Sequence, residues 1–215
     1  MIDEVIEEMS RIFMTKDLNE FIDFLKDKNP TFLLQNLLGV YANDKNSSFL
    51  REMITCSVAG YRHLDGKLGY DGFWDKLNCE VKPQNVVMGE TKRLNASGCF
   101  NDFTWRKYKK CQEDNVRMLM SGFVSGKLIY IVEFPFIDVK FRNHLKSKLE
   151  KYLPNGDETN RYIRSCSWSL KHFDNAYLRY LAKNFKDYKK AMTKNMFQFL
   201  ELGEQIEIKS INQGS

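Results

Sequence analysis

The sequence predicts an α/β (α+β) fold in which a β-sheet core is combined with helices and preceded by a helical segment. Three observations predict it: apolar residues recur at helical spacing near the N-terminus, two pairs of β-prone runs each meet at a short turn, and a helical pattern returns towards the C-terminus. A chain of 215 residues with 43% apolar content can bury one core. We therefore expect a single domain, with a helical N-terminal part (1–64), a sheet core (65–168) and C-terminal helices (173–202).

Four helices are predicted ahead of the sheet core. They span residues 2–14, 17–29, 31–41 and 49–60, each with apolar residues three and four positions apart. Asn46, Ser47 or Ser48 can cap the fourth helix. Its apolar stripe, which includes Phe49 and Met53, is expected to face the core rather than a ligand.

The most informative stretch covers residues 67–85, with the sequence KLGYDGFWDKLNCEVKPQN. Apolar and β-prone residues flank a polar reversal at Asp75 and Lys76, which predicts a short β-hairpin. Residues equally far from the reversal face each other across such a hairpin. Asp71 is therefore expected to lie opposite Glu80, with Cβ atoms about 5 Å apart.

The second strand of this hairpin predicts a candidate metal site. Side chains alternate along a strand, so Lys82 and Gln84 share the face of Glu80. Two facing carboxylates repel unless a cation lies between them, and Mg²⁺ is usually held by one or two carboxylates together with water and phosphate oxygens. Asp71 and Glu80 are therefore candidate ligands, Lys82 is placed to orient or help deprotonate an attacking water, and Gln84 is a possible additional member.

A solvated strand face is the alternative interpretation, because an acid followed two residues later by lysine is a common pattern in this chain. The pattern also begins at Asp65, Glu90, Asp138, Asp187 and Glu207. The copy at Glu80 differs by its place on a predicted strand, opposite a second carboxylate. An unexplained carboxylate pair of this kind is a site hypothesis.

The segments Tyr70-Asp71-Gly72-Phe73 and Cys79-Glu80-Val81-Lys82-Pro83 resemble the PD-(D/E)xK nuclease superfamily and, within it, the type II restriction endonucleases. The resemblance implies a mixed sheet flanked by helices that hydrolyses DNA phosphodiesters with Mg²⁺, for which Mn²⁺ is a possible substitute. By position, Asp71 and Glu80 would be the metal ligands and Lys82 the catalytic lysine. Many members add a glutamate from a helix before the first strand, and Glu52 is the candidate here.

A long polar segment after the hairpin is predicted to contact DNA. Residues 89–104 show no clear period, and loops of that length are uncommon in compact domains unless they have a function. Cations suit phosphates, while amides, hydroxyls and carboxylates suit base edges. The candidate DNA-binding residues are Lys92, Arg93, Asn95, Ser97, Asn101 and Asp102, together with Arg106 and Lys107 in the aromatic and basic run that follows. An ordinary surface loop and a solvated helix face are the alternatives.

Residues 116–136 predict two further strands that turn at Ser125 and Gly126. The run Leu128–Phe134 is almost continuously apolar, as expected for a strand buried on both faces, and is the predicted central strand. Glu133 interrupts this run. It either joins the metal site or packs at the strand end.

The remainder of the chain is predicted as a helix, a strand and a long second helix. The first helix covers 141–153, the strand covers 161–168, and the second helix begins at Asp174 and continues to Leu200 with a break near Thr193. The tail after Gly203 is expected to be loose or to add an edge strand.

The bulk properties are compatible with an intracellular protein that binds a polyanion. The net charge is +5 and the pI is about 8.8. Five cysteines lack the spacing of zinc sites or disulfide frameworks, and no apolar run approaches the length of a membrane span. We expect a soluble, cytoplasmic protein that does not enter a membrane.

Together these features predict a Mg²⁺-dependent endonuclease that cuts double-stranded DNA at a specific sequence and leaves 5′ phosphates. The resemblance to restriction enzymes implies a homodimer. Three alternatives stay open: a structure-specific nuclease of the junction-resolvase type, a DNA-binding module of the same fold without catalysis, and a protein whose basic helices bind an acidic partner.

Overall fold

The computed structural model describes residues 48–64, 69–156 and 161–213, the last part (205–213) as backbone only. These residues belong to one compact unit. The helices predicted over 2–41 lie outside the described residues, and the expectation of a single domain stays a prediction.

The described elements are mostly short, and strands outnumber helices. In chain order they are helix α1 (Phe49–Val58), strands β1 (Arg62–His63), β2 (Gly72–Trp74), β3 (Leu77–Val86) and β4 (Gly98–Phe103), helix α2 (Trp105–Glu113), strands β5 (Arg117–Val124) and β6 (Lys127–Pro135), helix α3 (Val139–Tyr152), strand β7 (Ile163–Trp168), a 3-10 helix (Leu170–His172), strand β8 (Tyr177–Leu181), a second 3-10 helix (Phe185–Ala191) and helix α4 (Lys194–Gln213).

The main sheet contains six strands in the order β1-β2-β3-β5-β6-β8. Strands β3 and β5 pair in parallel, and every other pair in this sheet is antiparallel. Strands β4 and β7 form a separate antiparallel pair. The predicted mixed sheet flanked by helices is therefore confirmed.

The two faces of the main sheet carry different cores. Cross-strand neighbours share a face, so Met118 and Phe134 lie on the same face as Glu80. This face packs into the larger core, to which α2, α3 and α4 contribute. The next residue along each strand belongs to the other face, where Leu119 packs in a smaller core with Cys56 from α1.

Both predicted hairpins are present. Strands β2 and β3 pair with Gly72 opposite Cys79 and Trp74 opposite Leu77, which is the predicted register. Asp75 takes a left-handed backbone conformation (φ 52°) that closes the turn. In the β5–β6 hairpin, Ser125 and Gly126 both have positive φ, as a tight two-residue turn requires.

Several sequence predictions differ from the structure. The helix predicted from Asp174 is replaced by β8 and a 3-10 helix, because Tyr177–Leu181 completes the edge of the main sheet beside β6. The predicted loop 89–104 contains β4 at its end. The tail after Gly203 continues α4 rather than forming a loose end or an edge strand.

Two smaller predictions also differ. The run Leu128–Phe134 lies in the interior strand β6 and is largely buried on both faces as predicted, but β3 and β5, not β6, are the central pair. In α1 the buried residues are Leu50, Arg51, Thr55 and Cys56, whereas Phe49 and Met53 are exposed. Hydrogen bonds help to turn the Thr55 face of α1 towards the sheet. The hydroxyl of Thr55 donates to the backbone carbonyl of Arg51 and is also hydrogen-bonded to the hydroxyl of Ser121 on β5.

Candidate active site

The β2–β3 hairpin brings Asp71 beside Glu80, one residue beyond the last registered pair, Gly72 and Cys79. The backbone N–H of Asp71 donates to the carbonyl of Cys79 over 3.0 Å, and its carboxylate accepts a 2.6 Å hydrogen bond from the backbone N–H of Val81. Gly72 lets α1 approach this point closely, because a Cβ there would lie 2.8 Å from the sulfur of Cys56. The predicted carboxylate pair is therefore present in the structure.

Two lysines surround the carboxylate of Glu80, which is only 6% exposed. The Nζ of Lys82 lies 2.8 Å from Oε1 of Glu80, and the Nζ of Lys107 lies 3.9 Å from the same oxygen. Lys82 comes from the same strand face, whereas Lys107 reaches Glu80 from α2, which Thr104 caps by accepting from the N–H of Lys107. A buried carboxylate with charged neighbours at a cleft is a candidate functional site.

The acidic pair is not fully neutralised by these lysines. Burial, followed by the negative charge of Glu80, raises the pKa of Asp71 to about 6, while Lys82 and the N–H of Val81 oppose that rise. For Lys82, burial lowers the pKa, but the charges of Glu80 and Asp71 outweigh burial and leave the pKa raised. Lys82 is therefore an ammonium ion, and the carboxylate pair retains an affinity for further positive charge.

Glu52 is also close enough to act on this group. Its negative charge raises the pKa of both Asp71 and Lys82. Glu52 and Lys82 line the same cleft, which has a volume of about 660 Å³. The structure therefore brings the residue predicted from the preceding helix to the site.

Gln84 contacts protein groups in this structure. Its Nε2 donates to Oδ1 of Asn95 over 2.8 Å and to Oγ of Ser97 over 2.7 Å, and its Oε1 accepts from the N–H of Asn95 over 3.1 Å. Gln84 thus ties β3 to the segment before β4. Asn95 and Ser97 were predicted to contact base edges. In the structure they hydrogen-bond to Gln84 instead.

The other predicted DNA-binding residues divide between two clefts. Lys92, Ser97 and Asn101 line the 660 Å³ cleft beside Lys82. Asp102, Arg106 and Lys107 line a second cleft of about 470 Å³, which Glu80 also lines. Arg93 points elsewhere and donates to the backbone carbonyl of Lys190.

Three further side chains that line these clefts were not among the residues singled out as site candidates. Arg51, which is 5% exposed, lines the larger cleft next to Glu52. Tyr70 and Lys110 line the smaller one. Lys110 was accessible to sequence reasoning, because residues three apart on a helix share a face and Lys107 was already a candidate.

Glu133 packs away from the carboxylate pair. It pairs with Leu119 on the opposite face of the sheet from Glu80. It is 1% exposed, with Nε of Arg117 2.6 Å from Oε1 and Arg179 paired to its other oxygen. Of the two predicted roles, packing is therefore correct.

The residues present fit a divalent metal. Within the described ranges no group of three or more histidine, cysteine, aspartate or glutamate side chains is arranged as a metal cluster. Mg²⁺ needs fewer protein ligands than such clusters supply, because water and phosphate oxygens complete its shell. In this part of the chain, Oδ1 of Asp71 and Oε2 of Glu80 accept no hydrogen bond, so one oxygen of each carboxylate is available to a cation.

No protein-family model matches the chain, and no significant match was found among curated proteins. Of the helices that the structure describes, none has the length and apolar character needed to cross a bilayer.

Proposed function

We propose that this protein is a Mg²⁺-dependent endonuclease that hydrolyses double-stranded DNA at a specific sequence and leaves 5′ phosphates. One observation carries the proposal: the Asp71 carboxylate bonds the backbone N–H of Val81, the residue after Glu80, and the ammonium group of Lys82 lies 2.8 Å from Glu80. This combines a binding site for one divalent cation with a positive group for a phosphate. The pattern agrees with the resemblance to PD-(D/E)xK nucleases.

Each residue has a separate role in this proposal. Asp71 and Glu80 would hold Mg²⁺ or Mn²⁺, with Glu52 beside them. When bound, the metal would polarise the phosphate and make a coordinated water more acidic. Lys82 orients the attacking water and offsets negative charge on the phosphate. In-line attack displaces the 3′ oxygen and leaves the 5′ phosphate.

The cations of the two clefts support a nucleic-acid substrate. Arg51, Lys82 and Lys92 line one cleft, and Lys107 with its neighbours lines the other. Cations that contact backbone phosphates position a duplex without reading its sequence. Reading the sequence falls to groups such as Asn101, which is exposed at the larger cleft.

The assembly and the compartment are part of the same proposal. A palindromic site is met by a two-fold symmetric protein with one active site for each strand, so we propose a homodimer. All five cysteines are free thiols, as expected for a protein of the reducing cytoplasm.

The test is incubation of the purified protein with plasmid DNA in Mg²⁺, in Mn²⁺ or in EDTA, followed by gel electrophoresis. We expect discrete fragments with either metal and intact plasmid in EDTA. Ligation of the fragments with and without phosphatase treatment identifies the 5′ phosphate.

The other outcomes distinguish the alternatives. A metal-dependent smear, or cleavage restricted to branched DNA, would favour a structure-specific nuclease over a sequence-specific one. Retention of DNA without any cleavage in either metal would replace the enzyme with the binding module.

A further inference from the structure

Glu80 lines the smaller cleft, whereas Lys82 lines the larger one. Consecutive residues of β4 divide the clefts, since Asn101 lines the larger one and Asp102 the smaller one. On β3 the same division falls between Glu80 and Val81. The two clefts are thus adjacent along the edge of the proposed active site.

Three cations surround the smaller cleft. They are Arg106, Lys107 and Lys110, all from α2, and the acids that line the same cleft are Glu80 and Asp102. The three cations outnumber the two acids even when Glu80 holds no metal. The cleft is then suited to an anion.

Lys107 is the best positioned of the three cations. Its Nζ lies 5.0 Å from the ring centroid of Phe100, and the Nζ of Lys82 lies 5.8 Å from the same centroid. Phe100 is fully buried in the larger core and gives both lysines a fixed surface. Both ammonium groups also approach Oε1 of Glu80, at 2.8 Å and 3.9 Å, so the two lysines lie close to each other.

Lys110 is held at the far side of the cleft. Its Nζ lies 3.5 Å from Oδ2 of Asp114, which also accepts a 2.6 Å hydrogen bond from the hydroxyl of Tyr70. The same ammonium group lies 5.8 Å from the ring centroid of Tyr70. Lys107 and Lys110 thus each lie against an aromatic ring.

We propose that the smaller cleft binds the backbone phosphate next to the scissile phosphate on the strand being cut, with Lys107 as the principal contact. Arg106 and Lys110 flank that phosphate. Lys82 serves the scissile phosphate and Lys107 its neighbour, so the substrate strand crosses the carboxylate pair between them. The identity of the strand rests on the proposed nuclease function, whereas phosphate binding by the cleft does not.

The experiment measures DNA binding without cleavage. A fluorescein-labelled plasmid fragment is titrated with protein in EDTA at several salt concentrations, and anisotropy gives the affinity. The variants are Lys107→Gln, Lys107→Arg and the control Lys109→Gln, which removes the same charge from the exposed side of α2. Lys107 is 39% exposed, so Lys107→Gln is expected to fold, which circular dichroism checks.

Loss of one phosphate contact reduces the slope of log affinity against log salt by about 0.9. We expect that reduction, with severalfold weaker binding, in Lys107→Gln, and wild-type slopes in Lys107→Arg and Lys109→Gln. Equal slopes in Lys107→Gln and Lys109→Gln would overturn the phosphate contact. A wild-type protein that does not retain DNA would overturn it as well.

The same preparations are assayed for cleavage in Mg²⁺, which separates the two proposals. Binding that depends on Lys107 in a protein that never cuts would leave the phosphate site standing and remove the nuclease. If the wild type cuts DNA but Lys107→Gln leaves the salt slope unchanged, the nuclease proposal stands and the phosphate site is removed.

Discussion

The carboxylate of Asp71 accepts a hydrogen bond from the backbone N–H of Val81, the residue that follows Glu80. This bond holds Asp71 against the carboxylate that raises its pKa. The metal-free hairpin therefore retains a repulsion between Asp71 and Glu80 that Lys82 and Lys107 only partly offset. The consequences can be measured in metal binding, stability and catalysis.

Metal binding is expected to weaken as the pH falls through about 6, because burial and the charge of Glu80 raise the pKa of Asp71 to that value. Below that pH Asp71 is protonated, and the proton competes with the metal ion for the carboxylate. Calorimetric titration with Mn²⁺ on either side of this pH measures the change. An affinity that is constant across the range would show that Asp71 is not a ligand.

Asp71→Asn is expected to stabilise the metal-free protein at neutral pH. The folded-state pKa of Asp71, about 6, exceeds its unfolded value of 3.8, so its contribution to stability is present at acid pH and is lost as the pH rises through about 6. Removing the charge should raise the free energy of unfolding by about 1 to 3 kcal/mol. Urea denaturation measures it.

The control for this experiment is Asp75→Asn, an exposed position in the turn of the same hairpin where asparagine tolerates the positive φ. It should change stability by less than about 0.5 kcal/mol. Addition of Mg²⁺ should stabilise the wild type and Asp75→Asn but not Asp71→Asn. A decrease in the stability of metal-free Asp71→Asn would contradict the repulsion.

Asp71→Ala and Lys82→Ala are each expected to abolish detectable cleavage while DNA binding in Ca²⁺ survives. Removal of one preorganised charge from a reacting centre lowers a rate by about 100-fold or more. Lys76→Ala, in the exposed turn of the same hairpin, should cut at the wild-type rate. Full activity in either site variant would remove this hairpin from the mechanism.

Gln84→Ala is expected to loosen the segment before β4 while β3 stays intact. The substitution removes three hydrogen bonds to Asn95 and Ser97, at a cost in stability of about 1 to 3 kcal/mol. Amide hydrogen exchange in residues 94–98 should become faster, and fragments from additional sites should appear on the gel. Gln198→Ala, at an exposed position of α4, should change neither result.

Glu133→Ala is expected to destabilise the protein by about 3 kcal/mol without changing its affinity for Mn²⁺. The substitution leaves Arg117, with only 13% of its side chain exposed, without its carboxylate partner, and breaking a buried ion pair is costly. Glu150→Ala removes a surface pair with Lys146 and should cost less than about 1 kcal/mol. A reduced affinity for Mn²⁺ in folded Glu133→Ala would show that Glu133 contributes to metal binding.

The sequence was sufficient to predict the hairpin because its signals are local. Asp75 and Lys76 mark the turn, the flanking residues favour strands, and pairing from the turn puts Asp71 opposite Glu80. The alternation along β3 then gives the position of Lys82. No information from distant parts of the chain was needed.

Strands β4 and β8 were missed because their partners lie far away in sequence. The segment Gly98–Phe103 buries Phe100 and Phe103, which are three residues apart, and Asp102 between them has a positive φ that breaks the alternation of a regular strand. The segment Tyr177–Leu181 is stabilised by pairing with β6, which a local helical pattern cannot reveal.

The surroundings of the carboxylate pair were missed for the same reason. Arg51 reaches the larger cleft from α1, and Lys107 reaches Glu80 from α2. These approaches depend on how helices pack on the sheet. Sequence spacing predicted that cations would be present near the site, but the packing of the helices determines which cations contact the carboxylates.

The parallel pairing of β3 with β5 also bears on the order in which the molecule assembles. The β2–β3 hairpin closes through a short turn, and such hairpins form in roughly 1–10 μs. Pairing of β3 with β5 must first close a connection that contains β4 and α2, and loop-closure entropy delays it. We therefore expect the two carboxylates to meet before the walls of the two clefts form, so that the proposed metal ligands would assemble earlier than the proposed phosphate contacts.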